Sequence, residues 1–390
     1  MSRPIRLGIL ATHPIQYYSP LYRALSREVE LQVFYAHQPT PEEQGHGFGV
    51  AFSWDVDLLE GYSSEFLANR SRDAAGNGFA SYDTPDVGDR IRKGNFDAFL
   101  LMGWHARCYI QALFACRRAG VPVMVRGDSQ LDASVPLPRR MAKRVLYPAF
   151  VRQFDACLSV GTRSDEYFRH FQAKRVVRAP HFVDNEFFRT RAAANVPNRA
   201  ELRARLGIEP DARVALFAGK FVDKKRPLDF VRAIASAGAS MTGLMVGDGE
   251  LRATCEGEAG RLRAPVRFAG FLNQQAIVEA YAASDVLVLP SDARETWGLV
   301  VNEAMASGIP AVVSRAVGCA PDLVVPNATG LQFDLGDVSA LGLLLRDLSS
   351  AGSRLEEMGA AAQSRVLEQF TVERARDGVL QAVDDVRIRA

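Results

Sequence analysis

Short runs of apolar residues, each of the length of a strand, recur along the whole chain and alternate with segments of helical or turn character. In the first half they lie at 7–11, 31–35, 98–102, 121–125 and 156–160, and in the second half near 214, 243, 266, 286 and 311. Runs that are apolar throughout are typical of strands covered on both faces of a parallel sheet. The pattern predicts an α/β protein with doubly wound sheets.

The length of 390 residues is too great for one ordinary hydrophobic core and indicates two domains. We place the first domain at 1–185, a linker rich in Ala, Asn, Arg and Pro at 186–210, and the second domain at 211–369. Between 38 and 89 the strand pattern gives way to Gly, Asn, Ser and Asp. This part of the first domain is predicted to form loops with one or two edge strands.

The stretch 291–310 lies between two of the apolar runs and has the pattern of a loop that leads into a helix. The helix, at about 298–307, is predicted to stop at Gly308 and Pro310. The loop then follows the carboxyl end of a strand, which is where open α/β sheets bind ligands.

The residues of this unit indicate a particular kind of ligand. Gly298 allows a close approach to the helix start, and the amides of Leu299 and Val300 favour an anion such as phosphate. Glu295 in the loop and Glu303 on the helix would face the same crevice and accept hydrogen bonds from sugar or ribose hydroxyls. The combination predicts a sugar nucleotide. The alternative is that both glutamates are solvated surface charges.

A second loop in the same half carries a concentration of positive charge. Residues 220–227 follow the apolar run at 214–219 and include Lys220, Lys225 and Arg226. Such a loop, taken alone, is most often simply solvated. Beside an anion-binding helix, Lys220 and Lys225 are placed to neutralise a leaving diphosphate, an effect on the order of several kcal/mol at the transition state. Together the two loops predict a glycosyl-transfer site.

The spacing of Glu295 and Glu303, with seven residues between them, resembles the signature of retaining GT-B glycosyltransferases of family four, the group 1 type. Lys225 falls where that family has its lysine. Lys220 falls where the family usually has arginine, and since lysine lacks arginine's two-pronged contact, weaker diphosphate binding is expected. The likeness covers the second half of the chain and includes matching motifs at 246–250, 268–272 and 281–285.

The resemblance implies the GT-B fold, in which two doubly wound, Rossmann-like domains face a central cleft and a final helix, here 370–390, crosses back to the first domain. It implies retaining, hexosyl-type transfer from a UDP- or GDP-sugar to an acceptor hydroxyl, on a saccharide or lipid-linked glycan in surface polysaccharide assembly. No cofactor or nucleophilic side chain is implied, because in that family the departing phosphate takes the acceptor's proton. The implied contacts are Glu303 with the ribose, Glu295 with the donor sugar, Lys220, Lys225 and the Leu299 and Val300 amides with the diphosphate, and Phe271 with the base.

Three polar residues follow strands in the first half: His13 after the first, His105 after the third and Asp128 after the fourth. The carboxyl ends of parallel strands meet at one edge of a sheet, so these side chains are expected to converge there. The resemblance supports His105 as a contact to the transferred sugar. His13 and Asp128 are candidates for the acceptor or sugar side. Each of the three could instead be purely structural.

Composition excludes several classes of protein. A net charge of +2 gives no general case for nucleic-acid binding, and no apolar stretch approaches the 18 residues of a membrane span. Five scattered cysteines without Cys-x-x-Cys spacing argue against disulfides and zinc, and they favour a reducing, cytoplasmic location. Asp55 and Asp57 alternate with apolar neighbours and are interpreted as strand-surface acids, so no metal site is predicted.

The segment 138–152 carries five basic residues and no acid. Its apolar residues recur at helical spacing, which predicts a basic amphipathic helix. Such a helix can lie on an anionic leaflet, here the inner face of the cytoplasmic membrane. The alternative is a helix whose apolar side faces the core and whose basic side is solvated. The residues concerned are Arg139, Arg140, Lys143, Arg144 and Arg152, and Met141, Val145, Leu146, Ala149 and Phe150.

The sequence is also compatible with functions other than glycosyl transfer. A sugar-nucleotide epimerase of the same architecture would turn over the donor without an acceptor. A catalytically inactive scaffold would bind the nucleotide without turnover. A nicotinamide-dependent oxidoreductase is disfavoured, because Gly247 and Gly249 supply only two glycines of the dinucleotide-binding pattern.

Overall fold

A computed structural model describes residues 3–47, 49–72, 78–131 and 135–388. The chain divides into two compact units. The first unit is built from Met1–Glu43, Val56–His181 and Val372–Ala390, and the second from Gln44–Asp55 and Phe182–Thr371.

The first unit contains a sheet of seven strands in the order β3-β2-β1-β4-β5-β6-β7, with parallel pairing throughout. Two of these strands do not stand out in the sequence, because β3 is polar and lies at one edge, and β7 is only three residues long at the other. The strands are β1 (Arg6–Ala11), β2 (Glu30–Tyr35), β3 (Ser63–Phe66), β4 (Ala98–Leu101), β5 (Val123–Gly127), β6 (Ala156–Ser159) and β7 (Val176–Arg178).

The second unit contains a sheet of six strands, also parallel, in the order β10-β9-β8-β11-β12-β13. In both sheets the first strand lies inside the sheet, so the strand order reverses there, as in doubly wound folds. The predicted α/β class with two doubly wound sheets is confirmed. The strands are β8 (Val214–Ala218), β9 (Thr242–Val246), β10 (Val266–Gly270), β11 (Val286–Leu289), β12 (Ala311–Ser314) and β13 (Gly330–Phe333).

Helices connect the strands of each unit. Before residue 182 they are α1 (Ser19–Leu25), α2 (Pro41–Gln44), α3 (Val87–Gly94), α4 (Arg107–Ala119), α5 (Leu137–Val151) and α6 (Thr162–His170). The later helices are α7 (Asn185–Asn195), α8 (Arg199–Arg205), α9 (Pro227–Ala237), α10 (Arg252–Leu262), α11 (Ile277–Ala283), α12 (Leu299–Ala306), α13 (Ala320–Leu323), α14 (Val338–Ser349), α15 (Ser353–Gln369) and α16 (Val372–Arg387).

The stretch 186–210, which the sequence marks as a linker, folds largely as α7 and α8 and belongs to the second unit. The side chain of Asp184 caps α7 by accepting a hydrogen bond from the Phe187 amide at 3.0 Å. Arg203 of α8 is buried and donates to the carboxylate of Asp285 at 2.9 Å. Composition alone could not reveal that this stretch folds onto the second unit, because Asp285, the partner of Arg203, is distant in the sequence.

The last helix, α16, packs within the first unit against α1, β6 and β7. Gly378 permits the close approach, since a Cβ there would lie 2.1 Å from the carbonyl oxygen of Arg178. An ion pair between Arg175 and Asp385 lies beside this contact.

The basic helix α5 exposes its apolar side. Val145 is 73% and Leu146 65% exposed, and Leu137 and Met141 are also exposed. Towards the end of the helix Phe150 is partly buried against the core and Val151 is fully buried. The alternative of an apolar side turned to the core is therefore wrong for most of α5, because only its last turns pack against the hydrophobic core of the unit.

Gly247 offers a test of how the loops at the carboxyl edge of the second sheet pack. It has φ of +126°, and an added Cβ would lie 2.0 Å from the Gly219 carbonyl oxygen. We expect Gly247→Ala to lower the free energy of unfolding by roughly 2 kcal/mol or more in urea denaturation, through backbone strain and this clash.

The matched control is Gly257→Ala in α10, where a Cβ would meet nothing within 4 Å. Because alanine favours a helix over glycine, this variant should gain about 0.5–1 kcal/mol. Equal stability of the two variants would contradict the packing described.

Candidate functional site

The loops that follow β8, β9 and β10 are joined by backbone hydrogen bonds at the carboxyl edge of the second sheet. The Gly219 amide donates to Val246 at 3.0 Å, and the Gly247 amide donates to Gly270 at 2.8 Å. The Phe221 amide donates to Asp248 at 2.8 Å. The loop that carries Lys220 is thus held in one position beside its neighbours.

The start of α12 is fixed by Gly298 and Trp297. Gly298 has φ of +98°, in the left-handed region, and a Cβ there would lie 2.7 Å from the Leu289 side chain. Trp297 is buried and its indole N–H donates to the Asn302 side chain at 2.8 Å. The first amides of a helix have no partner within the helix. The amides of Leu299 and Val300 therefore lie where a ligand anion would be favoured.

Glu295 and Lys225 are in contact, although 70 residues separate them in the sequence. Their Oε2 and Nζ atoms are 2.5 Å apart, and the side chains are only 12% and 15% exposed. The Asp292 amide donates to the Lys224 carbonyl at 2.9 Å, which ties the two loops together. The structure therefore brings one predicted carboxylate and one predicted cation to a single place.

Glu303 lies on α12 and is 6% exposed. The Tyr281 hydroxyl, from α11, donates to Glu303 Oε2 at 2.5 Å. Tyr281 is fully buried, so this hydrogen bond fixes the direction of the carboxylate. The sequence does not predict that Tyr281 orients Glu303, because a buried tyrosine in a helix is usually only part of the core.

Lys220 and Phe271 are both in contact with the segment Gln44–Asp55. The Lys220 ammonium donates to the His46 carbonyl at 2.5 Å, and the rings of Phe271 and Phe52 have centroids 4.5 Å apart. The sequence pattern assigns this segment to the first domain, but it packs on the second unit. Burial, followed by the nearby charges of Lys224 and Lys225, lowers the pKa of Lys220.

In the first unit, His13, His105 and Asp128 line one cavity of about 360 Å³. It lies where β1, β4 and β5 end, so the three side chains predicted to converge do meet there. The other polar side chains of the lining are Thr12, Tyr18, Tyr109, Arg126, Ser129 and His181, and Trp104 closes part of the wall.

The histidines of this cavity favour the neutral state. Burial lowers the pKa of His13 to about 4, and the charges of His37 and His105 act in the same direction. Burial also lowers the pKa of His105 and of His181. At neutral pH each imidazole can therefore both donate and accept a hydrogen bond, which suits a ligand with hydroxyl groups.

Arg126 is a buried cation in the cavity wall. It donates to the carbonyl oxygens of Ala179 and Pro180 at 3.2 and 3.0 Å, and its guanidinium lies 5.6 Å from the centre of the Tyr18 ring. Its burial was not predicted, although the sequence shows it directly before Gly127 and Asp128.

Asp55 and Asp57 lie in a loop, not on the strand predicted for them. Asp57 accepts from the Leu59 and Glu60 amides, and Asp55 accepts from the Gln275 amide at 3.1 Å. The contacts of Asp57 with amides two and three residues further on turn the chain at this point. Across the described ranges no group of three or more His, Cys, Asp or Glu side chains is placed to hold a metal ion.

The half-buried His13 makes stability depend on pH. Its pKa is 6.5 when unperturbed and about 4 in the fold, so between these values the unfolded chain binds more protons and stability falls as pH falls. At pH 5 the loss is about 2 kcal/mol. We expect His13→Gln to reduce the fall in Tm between pH 7 and pH 5, measured by thermal unfolding.

Replacement of an exposed histidine, His170→Gln on α6, is the control for this experiment. A fall in Tm that is the same in wild type and in His13→Gln would show that the fold does not hold His13 in its neutral form.

Residues 198–365 match the family Glycosyl transferases group 1. The chain is 30% identical over 286 residues to D-inositol 3-phosphate glycosyltransferase of Streptomyces coelicolor, covering 64% of this chain and 60% of that protein. It is 30% identical over 189 residues to a GDP-mannose-dependent monoacylated alpha-(1-6)-phosphatidylinositol monomannoside mannosyltransferase of Corynebacterium glutamicum, covering 46% and 49%. The chain thus spans about half to 60% of the length of these relatives.

Among solved structures, Anabaena HepE in complex with UDP aligns with a TM-score of 0.76 at 16% identity, over 97% of this chain and 100% of that one. At this level of identity the likeness is one of fold. The chain has the GT-B fold of two parallel-sheet, Rossmann-like domains, and its residues 198–365 match the Glycosyl transferases group 1 family.

Proposed function

We propose that this protein is a glycosyltransferase that moves a sugar from a UDP- or GDP-sugar to an acceptor hydroxyl with retention of configuration. The observation that carries the proposal is the contact of Glu295 with Lys225 beside the glycine-led start of α12. A carboxylate, a cation and helix amides together suit the sugar and the diphosphate of one donor. The names of the relatives, and the UDP in HepE, support this class of substrate.

Each donor contact is assigned to a residue of the second unit. Glu303, oriented by Tyr281, accepts hydrogen bonds from the ribose hydroxyls. The diphosphate lies against the amides of Leu299 and Val300 and is neutralised by Lys220 and Lys225. Glu295 contacts the hydroxyls of the donor sugar, and Phe271 lies beside the base.

The proposed transfer needs no nucleophilic side chain and no metal or other cofactor. The acceptor oxygen forms a bond to the anomeric carbon, and the bond from that carbon to the phosphate oxygen breaks. The acceptor's proton passes to the departing diphosphate. The protein contributes positioning and stabilisation of the developing negative charge, which is the role of the two lysines and the helix start.

We assign the acceptor, or the acceptor side of the transferred sugar, to the cavity of the first unit. Three neutral histidines and the carboxylate of Asp128 offer both donors and acceptors to a saccharide or to the glycan of a lipid-linked acceptor. Within this cavity His105 is assigned to the transferred sugar, and His13 and Asp128 to the acceptor side. Surface polysaccharide assembly is the setting that we propose for this reaction.

The two rival functions are separated by their products. An epimerase would convert the donor sugar in the absence of any acceptor, and an inactive scaffold would bind nucleotide without turnover. Nucleoside-diphosphate release that depends on an added acceptor would favour the transferase over both.

We expect replacement of Glu303 to weaken nucleotide binding and replacement of Glu295 to slow turnover. Glu303→Gln keeps an oxygen for Tyr281 but removes the charge that holds the ribose. Because a hydrogen bond to a charged group contributes about 1.5–3 kcal/mol, affinity for free UDP or GDP should fall roughly tenfold or more in calorimetry. Glu295→Gln should not weaken this binding, since the change releases Lys225. Its turnover of intact donor should fall by about 10²-fold or more.

Wild-type protein is first screened with UDP, GDP and dTDP by thermal shift, because a ligand at 100 times its Kd stabilises by about 2.7 kcal/mol. Absence of any shift would count against the donor site. Equal loss of nucleotide affinity in both variants would contradict the division of roles between Glu295 and Glu303.

We also propose that α5 lies on an anionic membrane surface, at the inner face of the cytoplasmic membrane. In its first three turns apolar side chains and arginines are exposed together, including Val145, Leu146, Arg140 and Arg144. An apolar strip flanked by cations is suited to anionic lipid headgroups, each cation contributing about 1 kcal/mol. In the described ranges the structure has no helix long and apolar enough to cross a membrane.

Replacement of Val145 and Leu146 by Asp should abolish sedimentation with vesicles that contain anionic lipid, with little change in Tm, because both side chains are exposed. The arginine-to-glutamine change at Arg140 and Arg144 should weaken vesicle binding more at low salt than at high salt.

The matched control is Leu343→Asp on α14, which also replaces an exposed leucine. Vesicle binding that is the same in wild type and in the Val145 and Leu146 variant would exclude the membrane role of α5.

A further inference from the structure

The segment Gln44–Asp55, here called the strap, is held on the second unit by its last residues. The Asn273 side chain donates to the Ser53 carbonyl at 2.8 Å. Gln275 donates twice to Asp55, from its side chain to the carbonyl at 2.8 Å and from its amide to the carboxylate at 3.1 Å. These hydrogen bonds are exposed to solvent, so the strap is attached by contacts that can open.

The beginning of the strap covers Lys220. The His46 carbonyl accepts a hydrogen bond from the Lys220 ammonium at 2.5 Å. Gly47 adopts φ of +82°, and a Cβ there would lie 3.1–3.2 Å from the Lys220 side chain. The backbone of the strap is thus in contact with Lys220, the cation assigned to the diphosphate, and supplies it with a carbonyl oxygen as hydrogen-bond acceptor.

The end of the strap covers Phe271. The Phe52 and Phe271 rings are tilted by 36° with centroids 4.5 Å apart, and Trp54 packs edge-on against Phe52 at 5.0 Å. Stacked aromatic partners lie with centroids about 4.5–7 Å apart, so these two rings are in direct contact. No base can lie between them in this arrangement.

We propose that the strap is an internal competitor of the donor, with the His46 carbonyl in the place of a phosphate oxygen and the Phe52 ring in the place of the nucleobase. The inference rests on the proposed function, because Lys220 and Phe271 are assigned to the donor there. A nucleoside diphosphate displaces the strap when it binds. Its apparent affinity is the intrinsic affinity multiplied by the fraction of molecules in which the strap is open.

The strap gives the site a means to exclude weak ligands. A base alone can displace only Phe52, and a phosphate alone can displace only His46, whereas a nucleoside diphosphate exchanges both contacts at once. The strap also covers a lysine and an aromatic ring that would otherwise face water before the donor arrives.

Two variants loosen the strap at different points. Phe52→Ala removes the ring that occupies the place of the base, and Gln275→Ala removes one anchoring side chain without touching Lys220 or Phe271. Gln369→Ala, an exposed glutamine at the end of α15 in the same unit, is the matched control. Affinities for UDP and GDP are measured by calorimetry on the full chain.

We expect both strap variants to bind the nucleotide more tightly than wild type, by about fivefold for Phe52→Ala, and the control to match wild type. In hydrogen-exchange mass spectrometry the amides of 44–55 should exchange faster in wild type when UDP or GDP is at saturation, because the strap has been displaced.

The outcomes separate this inference from the proposed function. Nucleotide binding that is equal in wild type and both variants would overturn the competitor role and leave the donor site intact. Weaker binding by Phe52→Ala, with slower exchange of 44–55 in the complex, would also overturn it, because Phe52 would then help to hold the base. Absence of binding by every variant would overturn the donor site and the strap's role together.

Discussion

Burial of both faces of the two parallel sheets is the constraint on which the rest of this structure depends. The central strands β8, β11 and β12 are buried along their whole length, and helices cover them on either side. The polar groups assigned to the ligands therefore lie beyond the carboxyl ends of the strands, mostly in the loops there, and not within the buried strands themselves. Those loops hold every residue that we assign to the donor or the acceptor, apart from the helix residues Leu299, Val300 and Glu303.

Within the second unit, the charges assigned to the donor are engaged with the protein itself. Lys225 is paired with Glu295, Lys220 is bonded to the strap, and Glu303 accepts from Tyr281. Half-buried charges without partners would be costly, so these contacts stabilise the site before a ligand arrives. They also orient the same groups that the proposed function requires, and a donor would exchange them for contacts of its own.

The cavity of the first unit has a different character. It is built from neutral histidines, the acidic residue Asp128 and one cation, Arg126, which interacts with backbone carbonyls and the Tyr18 ring. Such a wall can both donate and accept hydrogen bonds, which suits a ligand with hydroxyl groups. The contrast with the charged second unit fits a division between donor and acceptor, in keeping with the proposed reaction.

The sequence by itself determined the α/β class, the two sheets, most of their strands and the loop-to-helix unit at Gly298, because each rests on local patterns of apolar residues and glycine. It also indicated Glu295, Glu303 and Lys225 by type and spacing. Only the tertiary structure decided that Lys225 meets Glu295, that Tyr281 orients Glu303, that α5 turns its apolar side outward and that the strap lies on Lys220 and Phe271. Each of these depends on contacts between residues far apart in the chain, or on which side of an element is covered, and neither is encoded in a local pattern.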